Sequence, residues 1–198
     1  RLGIVERGRL ATLSSGFLYE GDPRRARRVA SLKAAKIAEI VRTDLADGRQ
    51  VLIAGHYDET TAIVNEVLLS QGIEVLTLTG KTPKADRPRI LERYIAGDVD
   101  VLNARASMIG FGFNLQNVGS TIAADINDSF ELLYQLERRS YRYGQTRNVR
   151  FHYPRVAQLQ DVTWRNVDAK RARFHADVDR MERLFVEAMR EELARRVS

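Results

Sequence analysis

Val51-Leu-Ile-Ala54, Glu74-Val-Leu-Thr-Leu78 and Val99-Asp-Val-Leu102 are three short apolar runs, and what lies between them decides the fold. Asp58–Ser70 keeps Ala62, Ile63, Val67 and Leu68 at helical spacing. Residues 83–96 open on Pro83 and stop at Gly97, which reads as a second helix. The alternation continues with a strand over Gly119–Ala124, a helix over Ser129–Tyr141 closed near Gly144, and a fifth strand over Val149–Tyr153. Short apolar strands alternating with helices of this length predict βαβ units, hence an α/β fold with a parallel sheet covered on both faces. Such sheets bind ligands beyond the carboxyl ends of their strands. The loops starting near Gly55, Thr79, Asn103 and Asp125 are therefore the expected seat of chemistry.

Outward from this core, residues 1–23 read as a lead-in segment with one short strand. Pro23 then opens a helical pattern through Val29, Leu32, Ala35, Ile37, Ile40, Val41 and Leu45, stopped by Gly48. Arg24, Arg25, Arg27 and Arg28 would crowd the start of that helix, where positive charge opposes the dipole. Either an anionic partner offsets them or they form a solvated basic face. At the other end, Pro154 and Trp164 mark a linker to a long helix over 166–197. Phe174, Val178, Met181, Phe185, Ala188 and Met189 form a heptad-like stripe on it, to be laid along this domain or a neighbouring one. The expected division is a lead-in at 1–23, one lobe at 24–157 and a helical extension at 158–198.

With 198 residues, 44% hydrophobic and 29% charged, the chain is neither collagen-like nor wholly disordered. It has no cysteine, which excludes disulfides, thiol nucleophiles and Cys-based zinc sites, and its three histidines, His56, His152 and His175, are scattered. Lys and Arg number 32 against 26 Asp and Glu, for a formal net charge of +6, and all but 5 of the 32 are arginine. That bias fits either GC-rich coding or phosphate binding, for which the guanidinium fork is well shaped. No apolar run approaches the ~18 residues of a membrane span. The chain opens on Arg1 rather than Met, and the expectation is a piece of a longer polypeptide.

Two stretches carry candidate chemistry. In Gln135-Leu-Glu-Arg-Arg-Ser-Tyr-Arg-Tyr-Gly-Gln145, Gln135, Arg139 and Arg142 fall at i, i+4 and i+7 of a helix and share one face. Two cations and an amide aimed the same way suit an anion such as a nucleotide triphosphate; a plain amphipathic surface helix would give the same spacing. In Ala106-Ser-Met-Ile-Gly-Phe-Gly-Phe-Asn-Leu-Gln116, Gly110 and Gly112 allow close backbone approach, while Ser107 and Asn114 add donors. Alone, this would pass for an ordinary strand-to-helix turn.

Together the two stretches are far more specific. Gly-Phe-Gly-Phe-Asn-Leu-Gln, followed about twenty residues later by Gln-Leu-Glu-Arg-Arg-Ser-Tyr-Arg-Tyr-Gly-Gln, resembles motifs V and VI of superfamily-two helicases. The ending Arg-x-x-Arg-x-Gly-Gln resembles Swi/Snf-type ATPases, and Asp128-Ser-Phe-Glu-Leu-Leu-Tyr-Gln135 is similar to their phage and bacterial branch. Val51-Leu-Ile-Ala-Gly-His-Tyr57 stands where that family carries motif IV. The resemblance covers Ser31 to Tyr153 and implies a RecA-like lobe, the second of two.

It further implies roles. Arg142 would be the arginine finger on the γ-phosphate, with Arg139 beside it, and Gln135 would sit at the nucleotide cleft. Gly110, Gly112 and Asn114 would link nucleotide and nucleic-acid sites. Ser107, His56 and Tyr57 would face the phosphodiester track, and Lys81 is grouped with them. The Gly80-Lys81-Thr82 stretch is not a phosphate-binding P-loop, because Val75 stands where the first glycine of that motif belongs. ATP and Mg²⁺ would thus be held mainly by a first RecA-like lobe of the same protein. The implied partner is DNA, duplex and sequence-independent, with no membrane, in the cytoplasm of a bacterium or phage-infected host. The alternative is a non-catalytic DNA- or protein-binding module on the same fold.

Overall fold

The computed structural model describes residues 3–21, 25–109, 115, 117–125, 129–140 and 148–197. Helix α1 (Ile4–Ser14) leads into a two-stranded antiparallel ribbon, β1 (Phe17–Glu20) and β2 (Arg25–Arg28). The lobe proper then runs α2 (Leu32–Ala46), β3 (Gln50–Gly55), α3 (Asp58–Ser70), β4 (Leu76–Leu78), α4 (Arg87–Ala96), β5 (Val101–Arg105), β6 (Val118–Ala123), α5 (Phe130–Ser140) and β7 (Arg150–His152). Helix α6 (Ala157–Val197) closes the chain. Strands β4-β5-β3-β6-β7 form one five-stranded sheet in that order, every pair parallel. The α/β, RecA-like architecture with a long C-terminal helix is the expected one.

The period of two along β3 explains the two covered faces. Val51 and Ile53 face α2 and α3, where they meet Ile37, Val41, Val64 and Leu68. Leu52 and Ala54 face the other way, toward Leu91, Tyr94, Leu133, Leu136, Trp164 and Val167. Both sets are buried, so β3 reads as a continuous apolar run rather than an alternating one. Ser31 caps α2 by accepting from the Ala34 amide at 3.1 Å. Gly97 ends α4 in the left-handed region at φ +82°, which favours glycine there.

Four expectations need correction. The lead-in contains a full helix, α1, besides its strand; Ala11, Thr12 and Ser14 are buried, which its mixed polar sequence conceals. Residues Arg25–Arg28 are a strand, not the start of a helix, and α2 begins only at Leu32. The arginines therefore load no helix terminus: Arg27 pairs with Glu20 at 2.8 Å, and Arg28 reaches Glu66 at 2.6 Å and Glu59 beside it. Arg24 lies outside the described residues. Asn103 belongs to β5 rather than to the loop after it, because its buried amide donates to Thr61 O at 3.2 Å and Asn65 Oδ1 at 2.7 Å. Finally, Trp164 is not a linker residue. It is 6% exposed inside α6, which starts nine residues before the expected position. The Phe174 end of the stripe packs on Phe130 and Tyr134, whereas Met181, Phe185 and Met189 stand exposed.

A buried charge network pins α2 to the amino-terminal edge of the sheet. Asp44, 1% exposed, accepts from Ser120 Oγ at 2.6 Å and Arg150 Nη1 at 2.8 Å, with His152 Nε2 at 2.9 Å. Burial alone would raise this carboxyl; the Ser120 hydroxyl, Arg150 and His152 outweigh it and hold it below the usual carboxylate value. A depressed folded value means the stabilisation is present above about pH 4 and is lost as pH falls through the folded value. Asp44→Ala strips a buried hydroxyl and an imidazole of their acceptor and should lower stability by about 1–3 kcal/mol. Melting curves across the acid range should show the wild-type decline, with a flatter one in Asp44→Asn; identical acid limbs would contradict the assignment.

Candidate functional site

The chain leaves β3 toward β4 on one side of the sheet and leaves β6 toward β7 on the other. The β3/β6 boundary is therefore a topological switch point, where a crevice opens at the carboxyl ends of the strands. One carboxylate organises it. Asp125, two residues past β6 and 6% exposed, accepts from the backbone amide of His56 through Oδ1 and from that of Tyr57 through Oδ2 at 3.4 Å. Ionised acceptors make the stronger class of hydrogen bond. The sheet supports the pair, because Ala124 N donates to Ala54 O at 2.9 Å and so carries the ladder up to the two loops. Tyr57 is the residue before α3, so the same contact fixes where that helix begins.

Aromatic rings extend from the crevice. The His56 ring meets Tyr57 edge-on at 4.9 Å, Tyr57 meets Phe17 at 5.6 Å, and Phe17 meets Tyr19 at 5.2 Å. The β1–β2 ribbon is thereby docked against the loop after β3. Burial, then the charge of Asp125, raises the Tyr57 phenol. A hollow between the strand ends and α5 is lined by Ala54, His56, Ala123, Asp125, Leu132 and Leu136.

Further along the same edge, Arg105 ends β5 and lies 3.7 Å from Asp58 at the start of α3. The loop carrying Lys81 is closed on itself: Thr79 N donates to Thr82 Oγ1 at 3.0 Å, Lys81 N to Thr79 Oγ1 at 3.3 Å, and Arg87 Nε to Thr82 O at 3.1 Å. Lys81 itself is exposed. Ser107 is exposed in the short 3₁₀ turn Ala106–Met108 after β5. The edge thus brings His56, Tyr57, Lys81 and Ser107 to one end of the sheet.

Helix α5 buries Phe130, Leu133 and Leu136 and exposes Gln135, whose Nε2 donates to Glu131 Oε1 at 3.2 Å. Arg138 is turned aside over the Tyr134 ring, 5.2 Å from its centroid, and donates to the Tyr134 hydroxyl at 3.0 Å. Arg139 follows Gln135 by one turn on the helix backbone, so the two positions share a face. The Arg139 side chain lies outside the described residues, as do Arg142, Gly110, Gly112 and Asn114 entirely. Because α5 begins at the carboxyl edge and runs back along the sheet, Gln135 sits about 7 Å along the helix axis from Phe130, on the flank of the lobe.

Residues 32–144 match the model of the helicase conserved C-terminal domain. The chain belongs to this helicase C-terminal domain family. Among solved structures, it is similar to the Swi2/Snf2 ATPase core domain of Sulfolobus solfataricus, at 26% identity and TM-score 0.52, over 62% of this chain and 25% of that one. The C-terminal part of the Fun30 ATPase domain matches at 24% identity and TM-score 0.58, over 62% of this chain and 40% of that one. The Sulfolobus solfataricus Swi2/Snf2 ATPase core solved with dsDNA matches at 24% identity and TM-score 0.56, over 77% and 34%. The chain therefore spans well under half the length of these relatives, and its fold is that of a Swi2/Snf2-type helicase C-terminal lobe.

Sequence reasoning marked Asp125 as the start of a loop and missed its role, although a lone acid closing the uncharged stretch Val118–Ala124 was a usable signal. It also missed the Arg105–Asp58 pair, for which no local pattern exists. Asp125→Ala would leave the His56 and Tyr57 amides without their acceptor and should cost about 1–3 kcal/mol. Thermal melts should show a lowered Tm, and amide exchange should show the strongest loss of protection at residues 56–57 rather than across the sheet.

Proposed function

We propose that this lobe is the second motor lobe of an ATP-dependent DNA translocase or helicase, bacterial or phage in origin and cytoplasmic in action. The family match across residues 32–144, which takes in the first motif-bearing stretch and all but the last residue of the second, is the observation that carries the reading. A first RecA-like lobe of the same protein would hold ATP and Mg²⁺ through its own P-loop. In this reading residues 24–157 are the motor lobe, 1–23 its lead-in and 158–198 an appended helix.

The arginines and Lys81 are donors only, which suits phosphate oxygens. Arg142 and Arg139 would reach across the cleft when the lobes close, Arg142 to the γ-phosphate. The developing charge of a transferring phosphoryl group is then stabilised by a guanidinium that is absent in the open state. Gln135 would report that closure to the lobe interface. Gly110, Gly112 and Asn114 would connect it to the nucleic-acid edge, where His56, Tyr57, Ser107 and Lys81 would contact the phosphodiester backbone. A solved relative is a Swi2/Snf2 core in complex with dsDNA, which supports duplex DNA as the track. Contacts to phosphates carry no sequence information, so binding would be sequence-independent and steeply salt-dependent.

Arg142→Ala in the full-length protein should reduce ATP turnover by about 10³-fold or more while leaving nucleotide affinity nearly unchanged. Turnover that survives the substitution would remove the finger assignment. Charge removal at Lys81 should weaken duplex binding equally for unrelated sequences and lower the slope of log affinity against log salt by about one.

A further inference from the structure

Helix α2 carries a charged residue toward each end of strand β6. At the amino end of the strand, Asp44 receives Ser120, Arg150 and His152, as described above. At the carboxyl end stands Asp125, and Lys33, about three turns before Asp44 on the same face of α2, comes to its level along the sheet. The lengths agree: eleven helical residues from Lys33 to Asp44, and five extended ones from Ser120 to Asp125, each cover about 16 Å. One face of α2 therefore carries an ammonium over the switch point and a carboxylate over the opposite edge.

Lys33 is an unusual lysine. It is 4% exposed, and its Nζ has no hydrogen-bond partner among the described residues. An ammonium taken from water without a partner is costly, and lysine is rarely buried so fully unless it meets an opposite charge. Burial, partly offset by the charge of Asp125, brings its pKa down to about 8. It therefore stays mostly protonated at neutral pH. Asp125 in turn spends both oxygens on the amides of His56 and Tyr57 and, among the described contacts, accepts from no cationic side chain.

We propose that Lys33 is a positioning residue for the His56–Tyr57 loop: its buried ammonium supplies the counter-charge that keeps Asp125 an acceptor for both loop amides, and so sets the loop for contact with nucleic acid. The last clause rests on the reading of His56 and Tyr57 as part of the DNA grip. The first does not. Lys33 touches no substrate in this scheme; it acts through Asp125.

The test uses amide hydrogen exchange, melting and duplex binding on the 198-residue chain. Lys33→Met removes the charge and keeps a long apolar stem. Removing one member of a buried pair of opposite charges destabilises a fold, because the other is left uncompensated. Tm should therefore fall, and the His56 and Tyr57 amides should exchange about tenfold faster, beyond the loss of protection seen across the rest of the sheet, because Asp125 is left as a lone buried charge. In the double variant Lys33→Met with Asp125→Asn, no lone charge remains and the single Asn oxygen can accept from one of the two amides, so the loss of protection should be smaller than the sum of the two single variants. That non-additivity is the signature of coupling through the carboxylate. Unchanged exchange at 56–57 in Lys33→Met, or purely additive effects, would overturn the proposal. So would failure to fold in both Lys33→Met and Lys33→Gln, which would assign the charge to the stability of the whole lobe. Loosened amides with weakened duplex affinity support both the positioning role and the DNA reading. Loosened amides with unaltered duplex affinity support the positioning role and count against His56 and Tyr57 as DNA contacts.

Discussion

One carboxylate spans the crevice on which this lobe is organised. Asp125 leaves the end of β6 and takes the first two amides beyond β3, so two adjacent strands and the start of α3 are fixed by a single side chain. The constraint behind it is topological. At a switch point the two connections diverge, and the chain itself leaves the amides at the strand ends without ladder partners. An acceptor must come from a side chain, and an ionised one in a nearly dry position holds more firmly than a neutral one. The aromatic contacts from His56 through Tyr57 and Phe17 to Tyr19 follow from that anchor, because they need the loop in one place.

The opposite edge shows the same logic used for stability alone. Asp44 gathers Ser120, Arg150 and His152 where α2 ends, away from the loops at the carboxyl edge. Helix α2 is thus held at its carboxyl end by groups that cannot slide, while its middle packs through Ile37, Ala38 and Val41. In the proposed motor, such a strut would carry closure to the nucleic-acid edge, since packed elements move as units rather than stretch.

The core of the fold was legible because its elements obey one period each. Asp58–Ser70 was read with the bounds the structure has, and Gly97 ended α4 as a left-handed cap must. The peripheral elements were not legible, for identifiable reasons. Arg25–Arg28 is a strand only because Phe17 and its neighbours pair with it, a long-range fact that three arginines in four residues hide. Trp164 lies in a helix because the sheet buries it, although the polar residues around it suggest a linker. Of the site, the positions of His56, Tyr57, Ser107, Lys81 and Gln135 followed from placing motifs at strand ends and on a helix face. Arg142, Gly110, Gly112 and Asn114 lie outside the described residues, and Arg139 is placed by its backbone alone. Lys33 and Asp125 escaped because a pair separated by most of the lobe leaves no spacing to read.

The central claim is that this lobe closes on a nucleotide held by another lobe, with the exposed face of α5 turned toward the cleft. Fluorescent probes at Gln135 and on the P-loop lobe of the full-length protein would measure that directly. Addition of a non-hydrolysable ATP analogue with Mg²⁺ should raise energy transfer between them, more so with duplex DNA present. Transfer that stays constant under saturating analogue would mean that α5 does not face the nucleotide, and the motor-lobe account would be wrong.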